Sequence, residues 1–218
     1  MRRLGLAVAA AALLVAGCGG GPRVTETRDV AAFDRIVVSD DLDVSVVPGS
    51  GTQVRVYAGE DVMDRVRTRS EGGELRLDIT DRGIVIGPDP LGDVRIEVAA
   101  DTVRSLAIEG TGNVRLTGLS EDELELAVRG AGEIRASGRV DRLEATIQGA
   151  GDADLSELAS RTARITVQGA ADADLNVSDQ LDVTVQGAGD VSYIGDPVVR
   201  SDIQGAGDLT RAGGRASP

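Results

Sequence analysis

The sequence predicts an all-β fold, a single-chain β-helix or β-solenoid, on three observations. A glycine-centred phrase recurs six times: Gly110-Thr-Gly-Asn113, Gly130-Ala-Gly-Glu133, Gly149-Ala-Gly-Asp152, Gly169-Ala-Ala-Asp172, Gly187-Ala-Gly-Asp190 and Gly205-Ala-Gly-Asp208. Its first glycines stand 20, 19, 20, 18 and 18 residues apart, and a fixed period near 20 marks a stacked-repeat architecture. Between the phrases apolar and polar residues alternate: Leu143, Ala145 and Ile147 against Glu144, Thr146 and Gln148, then Ala153 and Leu155 against Asp152 and Asp154. Period two means half-buried strands. Finally, 218 residues hold one Phe, two Tyr and no Trp, so Val, Ile, Leu and Ala must fill the core in regular aliphatic layers.

The N-terminus reads as an export signal over residues 1–17. Met1-Arg2-Arg3 is a positive start, Leu4 to Ala16 an apolar run too short to span a bilayer. Leu14-Val15-Ala16-Gly17-Cys18 resembles the bacterial lipobox, in which the cysteine is acylated after cleavage. Cys18 is the one cysteine of the chain. Lipidation there leaves no thiol for a disulfide and a mature charge of 21 − 36 = −15. Gly19 after the cysteine resembles outer-membrane sorting in a Gram-negative host. Residues 18–29 then read as a flexible linker, short enough to hold the domain close to its membrane.

The domain is expected over residues 30–210. In its first half, Ile36, Val38, Leu42, Val44, Val46, Val54 and Val56 hold one parity, and Pro48-Gly49-Ser50-Gly51 separates residues 42–47 from 52–58, a hairpin pattern. Glu60 to Arg69 has helix-like spacing, Gly72-Gly73 a turn, Gly83 to Gly92 a surface loop, and Val94, Ile96 and Val98 a strand. With no clean repeat, this half is expected to be a β cap closing the stack. In the second half each coil of about 19 residues reads as strand, glycine corner, strand, second corner. Parallel stacking buries a continuous aliphatic column that two short strands cannot bury alone. Right-handed coiling follows general frequency. An antiparallel β-sandwich is the alternative, since short evenly spaced strands fit it too. Residues 211–218 carry no apolar pattern and are expected to be disordered.

Two polar ladders follow from the stacking. Gln148, Gln168, Gln186 and Gln204 occupy equivalent sites before the corner, where amides can bond coil to coil. Asp152, Asp172, Asp190 and Asp208 occupy equivalent sites after it, with Asn113 and Glu133 earlier. Each Asp either accepts backbone N–H groups in an Asx-type turn or joins its neighbours to bind a divalent cation. Ca²⁺ is the candidate cation; no other cofactor is expected, and whether any metal binds is left open.

The lipoprotein signal, the opening Phe33-Asp-Arg-Ile-Val-Val and the run of Gly-x-Gly-[Asp/Asn] corners resemble the head GIN domain found in bacterial proteins described as putative auto-transporter adhesins. The resemblance covers residues 30–210 and implies an exported, all-β, solenoid-like domain. It implies no proven activity.

The formal charge of −13 argues against nucleic acid, whose phosphates need clustered basic groups. No His and no Lys stand in the chain. A non-catalytic envelope module binding protein or glycan, adhesin-like or structural and lipid-anchored at Cys18, is therefore the expected function. The alternatives are a Ca²⁺-stabilised structural lipoprotein and a Ca²⁺-dependent, polysaccharide-active β-helix enzyme in which Arg164 serves beside Asp152, Asp172 and Asp190.

Overall fold

The computed structural model describes residues 22–49, 52–80 and 94–213. The expected signal segment, Cys18 and the expected loop at Gly83 to Gly92 lie outside these. Among the described residues fifteen strands and one short helix follow in order: β1 Arg23–Asp29, β2 Arg35–Ser39, β3 Asp43–Pro48, β4 Gln53–Gly59, α1 Glu60–Met63, β5 Val66–Glu71, β6 Glu74–Ile79, β7 Arg95–Ala100, β8 Ser105–Gly110, β9 Asn113–Gly130, β10 Glu133–Gly149, β11 Asp152–Gly169, β12 Ala173–Gly187, β13 Val191–Ile194, β14 Val198–Gly205 and β15 Leu209–Arg211.

The repeat region is a β-solenoid. Strands β9 to β12 pair in parallel, each residue beside its counterpart one coil away. The chain then divides, β13 and β15 continuing the run after the glycine corner and β14 the run before it. Parallel pairing throughout excludes the antiparallel sandwich. The stack has about five turns.

Inward residues form three groups per coil, not the two that the alternation suggests. After the glycine corner come pairs such as Ile134 with Ala136 and Ala153 with Leu155; before the next corner come triplets such as Leu143, Ala145 and Ile147. Between them lies a third buried group, in which Leu119 and Leu158 flank Gly138, and Val140 and Val177 flank Ser160. Each fully buried Leu or Ile contributes roughly 1.5–3 kcal/mol.

Coil length varies, and the variation is absorbed at one place. The glycine corner keeps perfect register, Gly130 beside Gly149 and Gly149 beside Gly169, while shifts fall between Ala136 and Gly138, Arg135 and Ser137, and Leu155 and Ala159. Side chains replace ladder bonds at the last of these. Ser160 Oγ donates to the Asn176 carbonyl (2.8 Å), and Asn176 Nδ2 donates to the Ser156 carbonyl (3.2 Å).

The first half belongs to the same stack, in a different chain order. Strands β2 and β3 form one coil. Strand β8 and the first run of β9 stack on one side of it, β6 and β7 on the other, all in parallel. Strands β4 and β5, joined through α1, then run antiparallel along β7 and β6. The expected hairpin of residues 42–47 with 52–58 is therefore corrected: β7 lies between β3 and β4. Only Glu60–Met63 of the expected helical stretch is helical, burying Val62 and Met63 against the core. The Gly72-Gly73 turn joins β5 to β6, with φ of 60° and 82°.

The expected linker of residues 18–29 is also corrected. Residues 23–29 are β1, antiparallel to β4. Arg28 fixes it there: its guanidinium donates to the Val66 carbonyl (2.7 Å), Thr68 Oγ1 (3.0 Å) and the Met63 carbonyl (3.4 Å), and pairs with Glu26 (3.2 Å). At the other end, Arg211 belongs to β15 and the Ala212 N–H donates to the Tyr193 carbonyl (2.9 Å), so the expected tail does not begin at residue 211.

Candidate binding faces

The glycine corners are the fixed points of the stack. The first glycine of each phrase has positive φ, from 127° at Gly149 to 146° at Gly205. A Cβ on Gly130, Gly149, Gly169, Gly187 or Gly205 would overlap the carbonyl oxygen of the preceding corner glycine. Both the dihedral and the close approach therefore exclude a side chain.

A seventh corner carries no glycine signature. Asp40-Asp41-Leu42-Asp43 joins β2 to β3 and lies beside Gly110-Thr-Gly-Asn113, the Asp40 N–H donating to the Glu109 carbonyl (3.1 Å). Asp40 takes the glycine's place with φ of 70°. Asp tolerates the left-handed region better than most residues. Its carboxylate also accepts the Ile79 N–H (3.1 Å). The Asp-Asp-x-Asp pattern was the available signal, hidden by the 70 residues that separate it from Gly110.

The aspartates form a hydrogen-bonded chain running from coil to coil. Asp152 Oδ1 accepts the Asp172 N–H (3.2 Å), Asp172 Oδ1 the Asp190 N–H (3.0 Å) and Asp190 Oδ1 the Asp208 N–H (2.9 Å). At the start of the column Asn113 Nδ2 donates to Asp43 Oδ1 (3.0 Å). The carboxylates of Asp152, Asp172 and Asp190 thus meet a backbone N–H of the neighbouring coil instead of their own turn. Among the described residues no group of three or more His, Cys, Asp or Glu is arranged to hold a metal ion.

Charge varies along this face, from a groove in which arginines and carboxylates balance to a purely acidic stretch. Arg95, Arg115 and Arg135 lie at its β7–β10 end, with Asp43, Ser45, Glu97, Asn113 and Glu133 lining a shared groove. Arg135 is the register partner of Asp154, and from there Asp154, Asp172, Asp174, Asp190 and Asp208 continue the face. The arginine patch was missed from sequence. Its signal is an Arg two residues after the polar corner residue, in Asn113-Val-Arg115 and Glu133-Ile-Arg135.

On the run before the corner, Gln148 Nε2 donates to Gln168 Oε1 (3.3 Å). Gln186 lies in register between Gln168 and Gln204, and Gln204 Nε2 turns to Asp202 (3.2 Å). Beside this column runs a second that sequence reasoning overlooked, Thr146, Thr166 and Thr184, two residues before each Gln. Arg164 sits on this run, 3.7 Å from Asp182, and not on the run that carries Asp152, Asp172 and Asp190. The arginine–aspartate constellation of the enzyme reading is not assembled.

Among the described residues two groups titrate away from their ordinary values. Tyr57 Oη donates to Glu97 Oε2 (2.8 Å), and this bond, helped by burial and the Glu97 charge, raises the phenol pKa. Ser178 Oγ donates to Asp179 Oδ1 (2.6 Å), which, with Arg161 alongside, lowers the Asp179 carboxyl.

Known proteins share this architecture. A putative adhesin from Bacteroides fragilis NCTC 9343 superimposes with a TM-score of 0.72 at 18% identity, covering 87% of this chain and 97% of that one. A putative lipid binding protein from Parabacteroides distasonis ATCC 8503 gives 0.53 at 18% identity, over 90% and 98%. A putative adhesin from Parabacteroides merdae ATCC 43184 gives 0.53 at 14% identity, over 90% and 98%. No curated protein matches. The family model for the head GIN domain of putative auto-transporter adhesins matches residues 32–197, a range that holds five of the six corners and the coil of β2 and β3, and this chain belongs to the head GIN domain family.

Proposed function

We propose that the chain is a lipid-anchored envelope protein whose solenoid is a non-catalytic, adhesin-like binding module. The observation that carries the reading is the regularity of the two outward faces. Hydroxyl, amide, carboxylate and guanidinium groups repeat at the strand spacing, about 4.8 Å, on a scaffold whose backbone groups are committed to the stack. Such a surface recognises an extended protein or glycan by many equivalent weak contacts. A lectin pocket is disfavoured, because sugar rings stack on aromatics and this chain has three. The adhesin description of the family, and that of the solved Bacteroides fragilis protein of similar fold, support this class of role.

The anchor reading rests on Cys18 and is tightened by β1. With the first strand beginning at Arg23, a lipid on Cys18 leaves a tether of residues 18–22, no longer than about 18 Å when extended. The module then lies against its membrane, the outer one in a Gram-negative host, and meets partners arriving at that surface. Cys18→Ser should move the protein from the membrane fraction to the soluble one; undiminished membrane partition removes the anchor. For binding, the full chain in detergent is screened against envelope proteins and polysaccharides. Retention of a ligand that is lost on replacing Thr166 and Gln168, or Arg115 and Arg135, by Ala supports the reading, and retention unaffected by either pair overturns the ladder-face assignment. Melting with and without millimolar Ca²⁺ separates the metal-stabilised alternative, which requires a rise with Ca²⁺.

A further inference from the structure

The stack ends openly at β14 and β15. Among the described residues β14 pairs only with β12, and β15 only with β13, so each has a free edge. Val199, Ser201 and Ile203 continue the buried columns of Leu181, Val183 and Val185, and Leu209 continues that of Val191, with no further coil among the described residues. Ile203 is 36% exposed, whereas its counterparts Val185 and Val167, one and two coils back, are fully buried; Val198, on the outward parity of the strand, is 65% exposed. An unpaired edge beside exposed apolar groups is a template for another strand.

We infer that this edge is the dimer interface of the protein, and that its partner is the β14 of a second copy, paired antiparallel about a twofold axis through Ser201. The sequence of β14, Val198-Val-Arg-Ser-Asp-Ile-Gln-Gly205, is self-complementary in that register. Ser201 meets Ser201 of the second copy. On the inward face Val199 meets Ile203, twice. On the outward face Arg200 meets Asp202, twice. Cross-strand pairs of this kind are the stabilising unit of an antiparallel sheet. Adjacent registers that keep the apolar face inward are excluded by charge. Centring on Arg200 opposes two arginines, and centring on Asp202 opposes two aspartates. A register shifted by half a step turns the apolar face of one copy outward. The groups are available for the pairing: Arg200 makes only a 3.5 Å approach to Asp182, and Asp202 accepts from Gln204 of its own strand. Such an interface is isologous and closes on itself, unlike head-to-tail stacking onto the Arg28-fastened end, which would propagate into fibres.

The test is a crosslink in the full chain followed by charge exchange. Ser201→Cys places two thiols at the axis, where opposed Cα atoms of an antiparallel pair lie about 4.5–5.5 Å apart, within disulfide range. Mild oxidation should give a covalent dimer, which Thr184→Cys on the lateral face and the parent chain should not. Adding Arg200→Glu or Asp202→Arg should cut the crosslinked fraction at least fivefold, and adding both should restore it. Sedimentation of the same proteins without oxidant should follow the same order, and circular dichroism confirms that each retains its β spectrum. A Ser201→Cys chain that stays monomeric, or crosslinks equally with one charge reversed, overturns the proposal. So does protection of the β14 amides from hydrogen exchange in a protein that sediments as a monomer, which would mean that another segment or protein covers the edge.

Discussion

The two halves of the solenoid build the same object by different means. From β9 onward each coil lies on the one before it in sequence, and its position is set by backbone contact at the glycine corner. In the first half the coil of β2 and β3 is laid down first, and β6 with β7 are then placed on its outer side, followed by the reversed pair β4 and β5. There the positions are set by side chains: Asp40 at the corner, Arg28 across the end, and Val62 and Met63 of α1 beneath. A self-similar stretch tolerates no side chain at its closest approach, while a composite stretch depends on particular ones.

The largest expected effect breaks the repeat half at a corner. Gly149 has φ of 127°, and its added Cβ would enter the Gly130 carbonyl oxygen. Gly149→Ala combines backbone strain of 1–3 kcal/mol with displacement of a neighbouring coil, so about 3–5 kcal/mol of stability should be lost. Gly72 in the first half has φ of 60° and open space around its would-be Cβ. Gly72→Ala should cost only about 1 kcal/mol. Urea midpoints for the two variants measure the contrast directly, and equal losses would show that the corner approach is not what positions the coils.

The second effect acts on the composite half. Arg28→Met keeps the apolar stem and removes the charged hydrogen bonds to the Val66 carbonyl and Thr68 Oγ1. The expected loss is about 2 kcal/mol, together with faster hydrogen exchange in β1 and β5. Arg142→Met in the repeat half breaks a pair with Glu123 whose partners are 69% and 70% exposed, and should change stability by less than about 0.5 kcal/mol. Unchanged exchange in β5 on losing Arg28 would place the closure of that end elsewhere.

The same division decides how much was legible in the sequence. The coil period, the inward triplets and the register of Gln148 with Gln168 follow from repetition, because stacking makes equal sequence positions into spatial neighbours. The insertion of β7 between β3 and β4 could not be read this way. Residues 42–47 and 52–58 are adjacent, alternate cleanly and flank a Pro-Gly turn signal, so local rules favour a hairpin; the deciding contacts are parallel ones to β7, about fifty residues away. Likewise Arg23 to Asp29 has little apolar content, and only its pairing with β4 and the reach of Arg28 make it a strand. For the candidate faces, the Gln and Asp columns were visible as repeats. Arg115 and Arg135 occur in only two coils and vanish against the period.

A smaller effect tests the aspartate column. Asp172 Oδ1 accepts the Asp190 N–H at 3.0 Å, with further carboxylates one coil away on either side. Asp172→Ala removes the acceptor and should cost about 1 kcal/mol. Asp172→Asn retains an acceptor and removes one like charge, so it should match or exceed the parent at low salt, the advantage shrinking as salt screens the column. The start of the column already uses this solution, with Asn113 donating to Asp43. If Asn is as damaging as Ala, the carboxylate charge itself is required at the corner, and a bound cation becomes the first explanation to test.

The smallest effect lies in the composite half and appears only in alkali. Tyr57 on β4 donates to Glu97 on β7, and the phenol pKa is raised above its ordinary 10.0 chiefly by that bond. A raised folded-state pKa means that the bond's contribution is fully present below the unfolded value and is lost as pH rises through the folded one. In a Tyr193→Phe background, absorbance at 295 nm should follow Tyr57 alone, and Glu97→Gln should bring its midpoint down. Stability of the parent should fall more steeply than that of the Glu97→Gln variant across the same alkaline window, because the ionised phenol faces the carboxylate. The effect is small because the pair is largely in water, yet it is specific to the β4–β7 contact. A hairpin of β3 with β4 would take Tyr57 away from Glu97 and leave no shift to abolish, so this titration checks in solution the strand order that local sequence rules did not reveal.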